Sequence, residues 1–247
     1  MVKLLVVNPN STQSMTDEIR TSVERCLGDA EETQPPVIAV TYMTGPQGSP
    51  RQIDGLESSR ESCEACLPLL QDPSSQYHYR SYDGILVACF SDHPLAAAIQ
   101  ALPAAPLVVG LLSCSVAFSS LALGRPFSII TSNAEWVAIL DEQTQKFLTT
   151  DTISRSLWRG TVSTNLQVLE LHNSSNFNRI AQRIEDYNIA RLGSEVVILG
   201  CAGFSGMQYK LTNMLGGKIT FVDPIVLGFQ TLVTNATFLA TERRRCE

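Results

Sequence analysis

The sequence predicts an α/β protein of two pseudo-symmetric lobes, each a parallel β-sheet flanked by helices, with the active site in the cleft between them. Three observations predict it. Short apolar, β-branched runs alternate with helix-length amphipathic segments along the chain. The alternation starts afresh near residue 113. Two of the runs, 112 positions apart, arrive at a thiol: YDGILVACFSDHP reaches Cys89, and EVVILGCAGFSG reaches Cys201.

The elements follow in order. KLLVV (3–7) is a first strand. NPNSTQSMTDEI comes next, where Ser11 or Thr12 can cap a helix whose first turn carries Asp17 and Glu18. VIAVTY (37–42) is a second strand, and the Gly/Pro-rich loop TGPQGSPRQIDG leads to a helix over 55–71. The polar stretch DPSSQYHYRSYD ends at GILVAC (84–89), the third strand. HPLAAAIQAL is helical and LVVGLL (107–112) is a fourth strand. After a helix over 113–123 the order returns. RPFSIITSN (125–133) is a strand that meets a polar cluster, and AEWVAILDEQTQKFL is a helix. NLQVLELH (165–172) is a strand, and NRIAQRIEDYNIARLG a helix ending at Gly193. VVILGC (196–201) is a strand, QYKLTNMLGG a helix, and KITFVDP (218–224) the last strand. A helix over 225–241 closes the chain. Lobe 1 is 1–112 with roughly 224–247 and carries Cys89; lobe 2 is 113–223 and carries Cys201. Parallel sheets gather ligands at the carboxyl ends of their strands. Asn8, Cys89, Thr131 and Cys201 all fall at that kind of edge.

Composition narrows the function classes. The 247 residues carry 18 Lys+Arg against 24 Asp+Glu, a net charge of −6. That balance favours neither nucleic acid nor an anionic membrane surface as a partner. No continuous apolar run approaches the ~18–20 residues of a membrane span. The apolar part of MVKLLVVNPNST is too short for a secretory signal, so it reads as the first strand of a cytoplasmic protein. Seven cysteines, an odd number, argue against a disulfide framework. Cys63 and Cys66 form a CxxC inside a helical pattern, and read as two helix residues of which one faces the core. His78, His93 and His172 make no zinc-ligand spacing, so no metal is expected. Trp136 and Trp158 carry no signal beyond packing.

Two thiols at matched strand ends suggest a chemistry. A stereocentre beside a carbonyl inverts when one group removes its proton from one face and another returns a proton to the opposite face. Cysteine suits both roles, because its free pKa is about 8.5 and falls at helix N-termini. The polar groups nearby, in NPNST, CFSDHP, TSN and CAGFSG, are amides and hydroxyls without Lys or Arg. A dicarboxylate would call for cations; a neutral, amide-rich ring would not. The expected substrate is therefore a small cyclic ureide, held by Asn8, Thr131 and Ser132. Asp92 reads equally as a cap or a catalytic group. His93, before Pro94, is expected at the solvent-exposed surface, where it could tune Cys89. Cys114 reads as a helix-start residue.

LLVVNPNST, the Gly45-Pro46 loop with Ser49, ILVACFSDHP and VVILGCAGFSG together resemble the Asp/Glu/hydantoin racemase superfamily. The resemblance is strongest to its hydantoin racemase branch, which includes allantoin racemases, and spans nearly the whole chain. It implies a cofactor-independent isomerase with Cys89 and Cys201 as its two bases, commonly assembled as a homo-oligomer. It extends substrate contact to Asn8, Ser49 and the loops after each cysteine: Phe90, Ser91, Ala202 and Gly203. This chain departs from the family pattern in three places. His93 intervenes between Asp92 and Pro94, no acid follows Gly110, and the loop GPQGSP is longer. These departures bear on the substrate. The expected activity is racemisation of 5-substituted hydantoins or allantoin at C5. An Asp/Glu-type racemase or dicarboxylate cis–trans isomerase, and a non-catalytic ligand-binding protein, are the alternatives.

Overall fold

Apolar runs become strands where both faces of a parallel sheet can be covered by helices. The structure, a computed structural model, describes residues 1–28, 37–148, 152–171 and 173–246. It divides into two compact units. The first is 1–89, 93–111 and 225–247; the second is 90–92 and 112–224.

The first unit contains β1 (Val2–Asn8), α1 (Gln13–Gly28), β2 (Ile38–Thr44), α2 (Leu56–Gln71), β3 (Gly84–Val87), α3 (Pro94–Gln100) and β4 (Leu107–Gly110). Its sheet runs β2-β1-β3-β4, and every pairing is parallel. β3 is buried along its whole length. Leu5, Val7, Ile85, Val87 and Met43 meet Cys66 and Leu70 of α2 and Leu95 and Ile99 of α3 in one apolar cluster.

The second unit repeats the plan. α4 (Leu111–Ala117) continues as π-helical turns to Leu123 and stops at Gly124, whose φ of 60° is left-handed. Then come β5 (Phe127–Thr131), α5 (Glu135–Phe147), α6 (Thr152–Leu157), β6 (Trp158–Ser163), α7 (Phe177–Arg183), β7 (Val196–Leu199), α8 (Gln208–Leu215) and β8 (Thr220–Val222). The order is β6-β5-β7-β8, again all parallel. Strand for strand, β5 takes the place of β1 and β7 that of β3.

α9 (Pro224–Cys246) returns to the first unit. Residues 224–243 have a mean hydropathy of 1.2 and are long enough to cross a membrane. Ile225, Phe229, Leu232 and Ala236 recur every three or four residues and are buried. Leu232 lies so close to Gly84 of β3 that a Cβ there would meet it at 2.7 Å. The helix therefore packs one apolar stripe on the first sheet.

The strand expected at 165–172 is corrected. Residues 165–171 form a turn and a 3₁₀ turn at Val168–Glu170, and His172 lies outside the described residues. Asn165 is left-handed (φ 56°), and its N–H donates to Ser163 Oγ at 2.9 Å, which closes a turn where a strand would have to continue. The edge strand is WRGTVS, one turn earlier. Phe127 pairs with Trp158 and Ile129 with Thr161, so β6 spends an extra residue opposite β5. Gly160 supplies that bulge with φ 109°. The bulge erases the alternation by which a strand is read from sequence. β3, β4 and β7 also end earlier than their apolar runs. β3 and β7 stop two residues short of their cysteines, and Leu111 and Leu112 begin α4.

Candidate active site

The duplicated register puts the two cysteines in equivalent places. In the first sheet Val7 pairs with Val87, and the Ala88 N–H donates to the Val7 carbonyl at 2.8 Å. In the second, Ile130 pairs with Leu199, and the Gly200 N–H donates to the Ile130 carbonyl at 2.8 Å. Asn8 thus matches Thr131, Ala88 matches Gly200, and Cys89 matches Cys201. Both cysteines are half-buried.

Cys201 caps a 3₁₀ turn, Ala202–Phe204, and its Sγ accepts the Gly203 N–H at 3.4 Å. Gly203 is required there. A Cβ would come within 2.9 Å of both Leu171 Cδ1 and the Val168 carbonyl. Ala202 is half-buried. Gly200 is equally constrained: a Cβ would meet Ile129 Cγ2 at 2.4 Å and Phe90 Cε1 at 2.9 Å. Phe90 belongs with the second unit and is buried there. The residue after Cys89 therefore packs on the residue before Cys201. Asp92 is held in the same unit, its N–H donating to Gln143 Oε1 at 3.0 Å. Ser91 is buried beside it in sequence.

His93 corrects the expectation of solvent exposure: it is only 2% exposed. It caps α3, where the Leu95 N–H donates to its Nδ1 at 3.2 Å. Nδ1 therefore carries no proton, so Nε2 does, and Nε2 lies 2.8 Å from Ser62 Oγ. Ser62 Oγ passes its own proton to the Ser59 carbonyl at 2.9 Å. Burial pushes the imidazole down to about 4. His93 is a neutral cap and a brace to α2.

Asn8 is buried and fully engaged within its own turn. Its Nδ2 donates to Asn10 Oδ1 and Thr16 Oγ1, each at 3.0 Å, and its Oδ1 accepts the Asn10 N–H at 3.3 Å. The Gly45 N–H closes the loop onto the Asn8 carbonyl at 2.8 Å. Ser49, on that loop, is buried with its Oγ 3.7 Å from Cys66 Sγ. Burial raises the Cys66 thiol to about 11, although Ser49 pulls the other way. Cys66 is the core-facing member of the CxxC pair.

In the second unit Thr131 Oγ1 donates to the Gly200 carbonyl at 3.3 Å. The Ser132 carbonyl accepts from Ser163 Oγ at 2.8 Å and Thr164 Oγ1 at 2.9 Å. The Ser132 hydroxyl itself is 0% exposed and has no hydrogen-bond partner among the described residues. A buried hydroxyl left so costs about 1–3 kcal/mol.

One residue escaped the sequence reading. Asp223, one position past β8, is 5% exposed, and its Oδ2 accepts the Gly206 N–H at 3.4 Å. By register it takes the place that Gly110 holds in the first sheet. Its signal is an acid ending the apolar run ITFV. No cluster of three or more metal-ligating side chains occurs among the described residues.

Comparison with known proteins places the fold and the family. The chain is 47% identical to Protein DCG1 of Saccharomyces cerevisiae, over 98% of this chain and 99% of that protein. It is 23% identical to a hydantoin racemase of Paenarthrobacter aurescens, over 98% and 99% of the two chains. An allantoin racemase structure from Klebsiella pneumoniae superposes with a TM-score of 0.77 at 20% identity, covering 97% of this chain and 89% of that one. That likeness is one of fold. The model of the Asp/Glu/Hydantoin racemase family matches residues 4–232, nearly the whole chain, and the protein therefore belongs to that family.

Proposed function

We propose that this protein is a cofactor-independent racemase of 5-substituted hydantoins or allantoin, with Cys89 and Cys201 as its two bases. The observation that carries the reading is the register: the only two cysteines that follow central strands among the described residues stand at the same step of a duplicated sheet. The packing of Phe90 against Gly200 supports it, since it ties together the chain beside each thiol.

In this mechanism one cysteine, as thiolate, takes the proton from C5, and the electron pair moves onto the adjacent carbonyl oxygen. Backbone N–H groups near the strand ends stabilise that oxygen. The other cysteine, as thiol, delivers its proton to the opposite face of C5. The product leaves with the two sulfurs' protonation reversed, and the next turnover in the opposite direction, or exchange with water, restores it. The Gly203 N–H stabilises the thiolate form of Cys201. Asn8 acts through the turn it builds, because its own amide is engaged. The strand-end segments NPNST, CFSDHP, TSN and CAGFSG carry no lysine or arginine, which suits an uncharged ureide. Hydantoin and allantoin racemases among the similar proteins support that substrate class.

The test is polarimetry on single enantiomers of allantoin and of a 5-alkylhydantoin, with aspartate and glutamate alongside. Loss of rotation for the ureides alone is the expected result. Turnover of the amino acids alone would replace the ureide with an acidic substrate.

A further inference from the structure

The opposite end of the first sheet carries a charged recess. A recess of about 470 Å³ opens there, lined by Lys3, Arg80, Tyr82, Asp83, Ala104 and Arg243 among others. Lys3 lies near the start of β1, Asp83 just before β3 and Ala104 shortly before β4. All belong to the first unit. The recess is therefore at the amino-terminal edge, five residues along β1 from Asn8, or roughly 16 Å at strand rise.

Its charge runs against that of the molecule. The chain has a net charge of −6 and only 18 lysines and arginines, yet three of them face this recess. The single carboxylate, Asp83, already accepts the Lys3 N–H on Oδ2 at 2.8 Å. Among the described residues no carboxylate forms an ion pair with Lys3, Arg80 or Arg243.

Arg80 is held in place beforehand. Its Nε donates to Tyr79 Oη at 2.9 Å, its Nη2 donates to the Pro103 carbonyl at 3.1 Å, and its guanidinium lies 5.5 Å from the Tyr79 ring centroid. Two of its five N–H groups are so used, and the rest remain for a ligand. The next residue after Pro103, Ala104, is left-handed at φ 54°. A non-glycine residue there costs about 1 kcal/mol or more, and such strain collects at binding sites.

We propose that this recess binds a small polyvalent anion, phosphate-bearing or polycarboxylate, at the edge of the first sheet opposite Cys89. Three cations around one open hollow match two or more separated negative groups better than one. A fixed guanidinium is the group that grips them in a defined geometry. The site is independent of the proposed racemase chemistry, and its test reads no turnover.

The experiment is calorimetric titration of the full chain with pyrophosphate and with citrate, at about 50 mM and about 300 mM salt. K3Q, R243Q and, as a control that does not line the recess, K210Q follow the same protocol. Saturable binding of either anion at one site, weakened at least about fivefold by K3Q and by R243Q but not by K210Q, is expected. Binding of pyrophosphate alone assigns a phosphate ligand, and of citrate alone a carboxylate. No saturable binding of either anion at about 10 mM, or equal affinity in all variants, overturns the proposal, as does equal weakening by K210Q.

Discussion

His93 is neutral because its environment allows no other state. The Leu95 N–H occupies Nδ1, and burial removes the water that would support a charge. Its folded pKa, about 4, lies below the unfolded value of about 6.5. The unfolded chain takes up the proton first, so stability is fully present above about pH 6.5 and is lost as pH falls toward 4. Denaturant titrations at about pH 7.5 and pH 5 should show about 2 kcal/mol more acid loss in wild type than in His93→Asn. Asn keeps an acceptor for the helix cap and removes the titration. Equal losses in both proteins would contradict the buried cap. Cys66 gives a second residue-scale prediction. With its thiol near 11 and its side chain fully buried, it should resist iodoacetamide at about pH 8 in the native protein while Cys89 and Cys201 react. Mass spectrometry of the peptides reads this directly. The burial of His93 was not legible in Asp-His-Pro, which reads as a polar turn. Its brace, Ser62, is 31 residues away, and only the packing of α3 on α2 brings them together.

At the scale of elements, the glycines around Cys201 set the turn that carries it. Gly203→Ala should push the 3₁₀ turn off the Val168 carbonyl, a backbone atom that cannot swing aside. The expected cost is about 1–3 kcal/mol of stability, with racemisation falling further than stability because the N–H at Cys201 Sγ moves. Gly206→Ala, where a Cβ meets nothing within 4 Å but φ is 78°, should strain the backbone and leave the Cys201 contact in place. Thermal melts and initial rates on both variants separate the effects; equal activity in both would show that the Gly203 turn does not position the thiol. Most elements were legible because parallel-sheet strands are continuous apolar runs, as ILV and VVIL are. β6 was not. Its Gly160 bulge and its edge position left no periodic signal, while Leu166, Val168 and Leu171 mimic a strand by packing inward from a turn.

At the scale of the molecule, the order of strands is the same in both halves, and no sequence repeat announces it. What announced it was a pair of chemically odd strand ends. Registers Val7–Val87 and Ile130–Leu199 turn that resemblance into an equivalence of position. Asp223 breaks the symmetry: it is an acid where the first half has Gly110, and one strand-ending Asp in a single sequence looks like any other.

In the proposed mechanism one cysteine removes the C5 proton and the other returns a proton to the opposite face. The most direct measurement follows each enantiomer of allantoin in deuterated water by NMR and polarimetry together, for wild type, Cys89→Ser and Cys201→Ser. C5 deuterium in the racemised product of wild type, and a fall in racemisation of about a hundredfold or more in each variant, are expected. Racemisation at the wild-type rate in either variant, or loss of rotation without deuterium at C5, would contradict the mechanism.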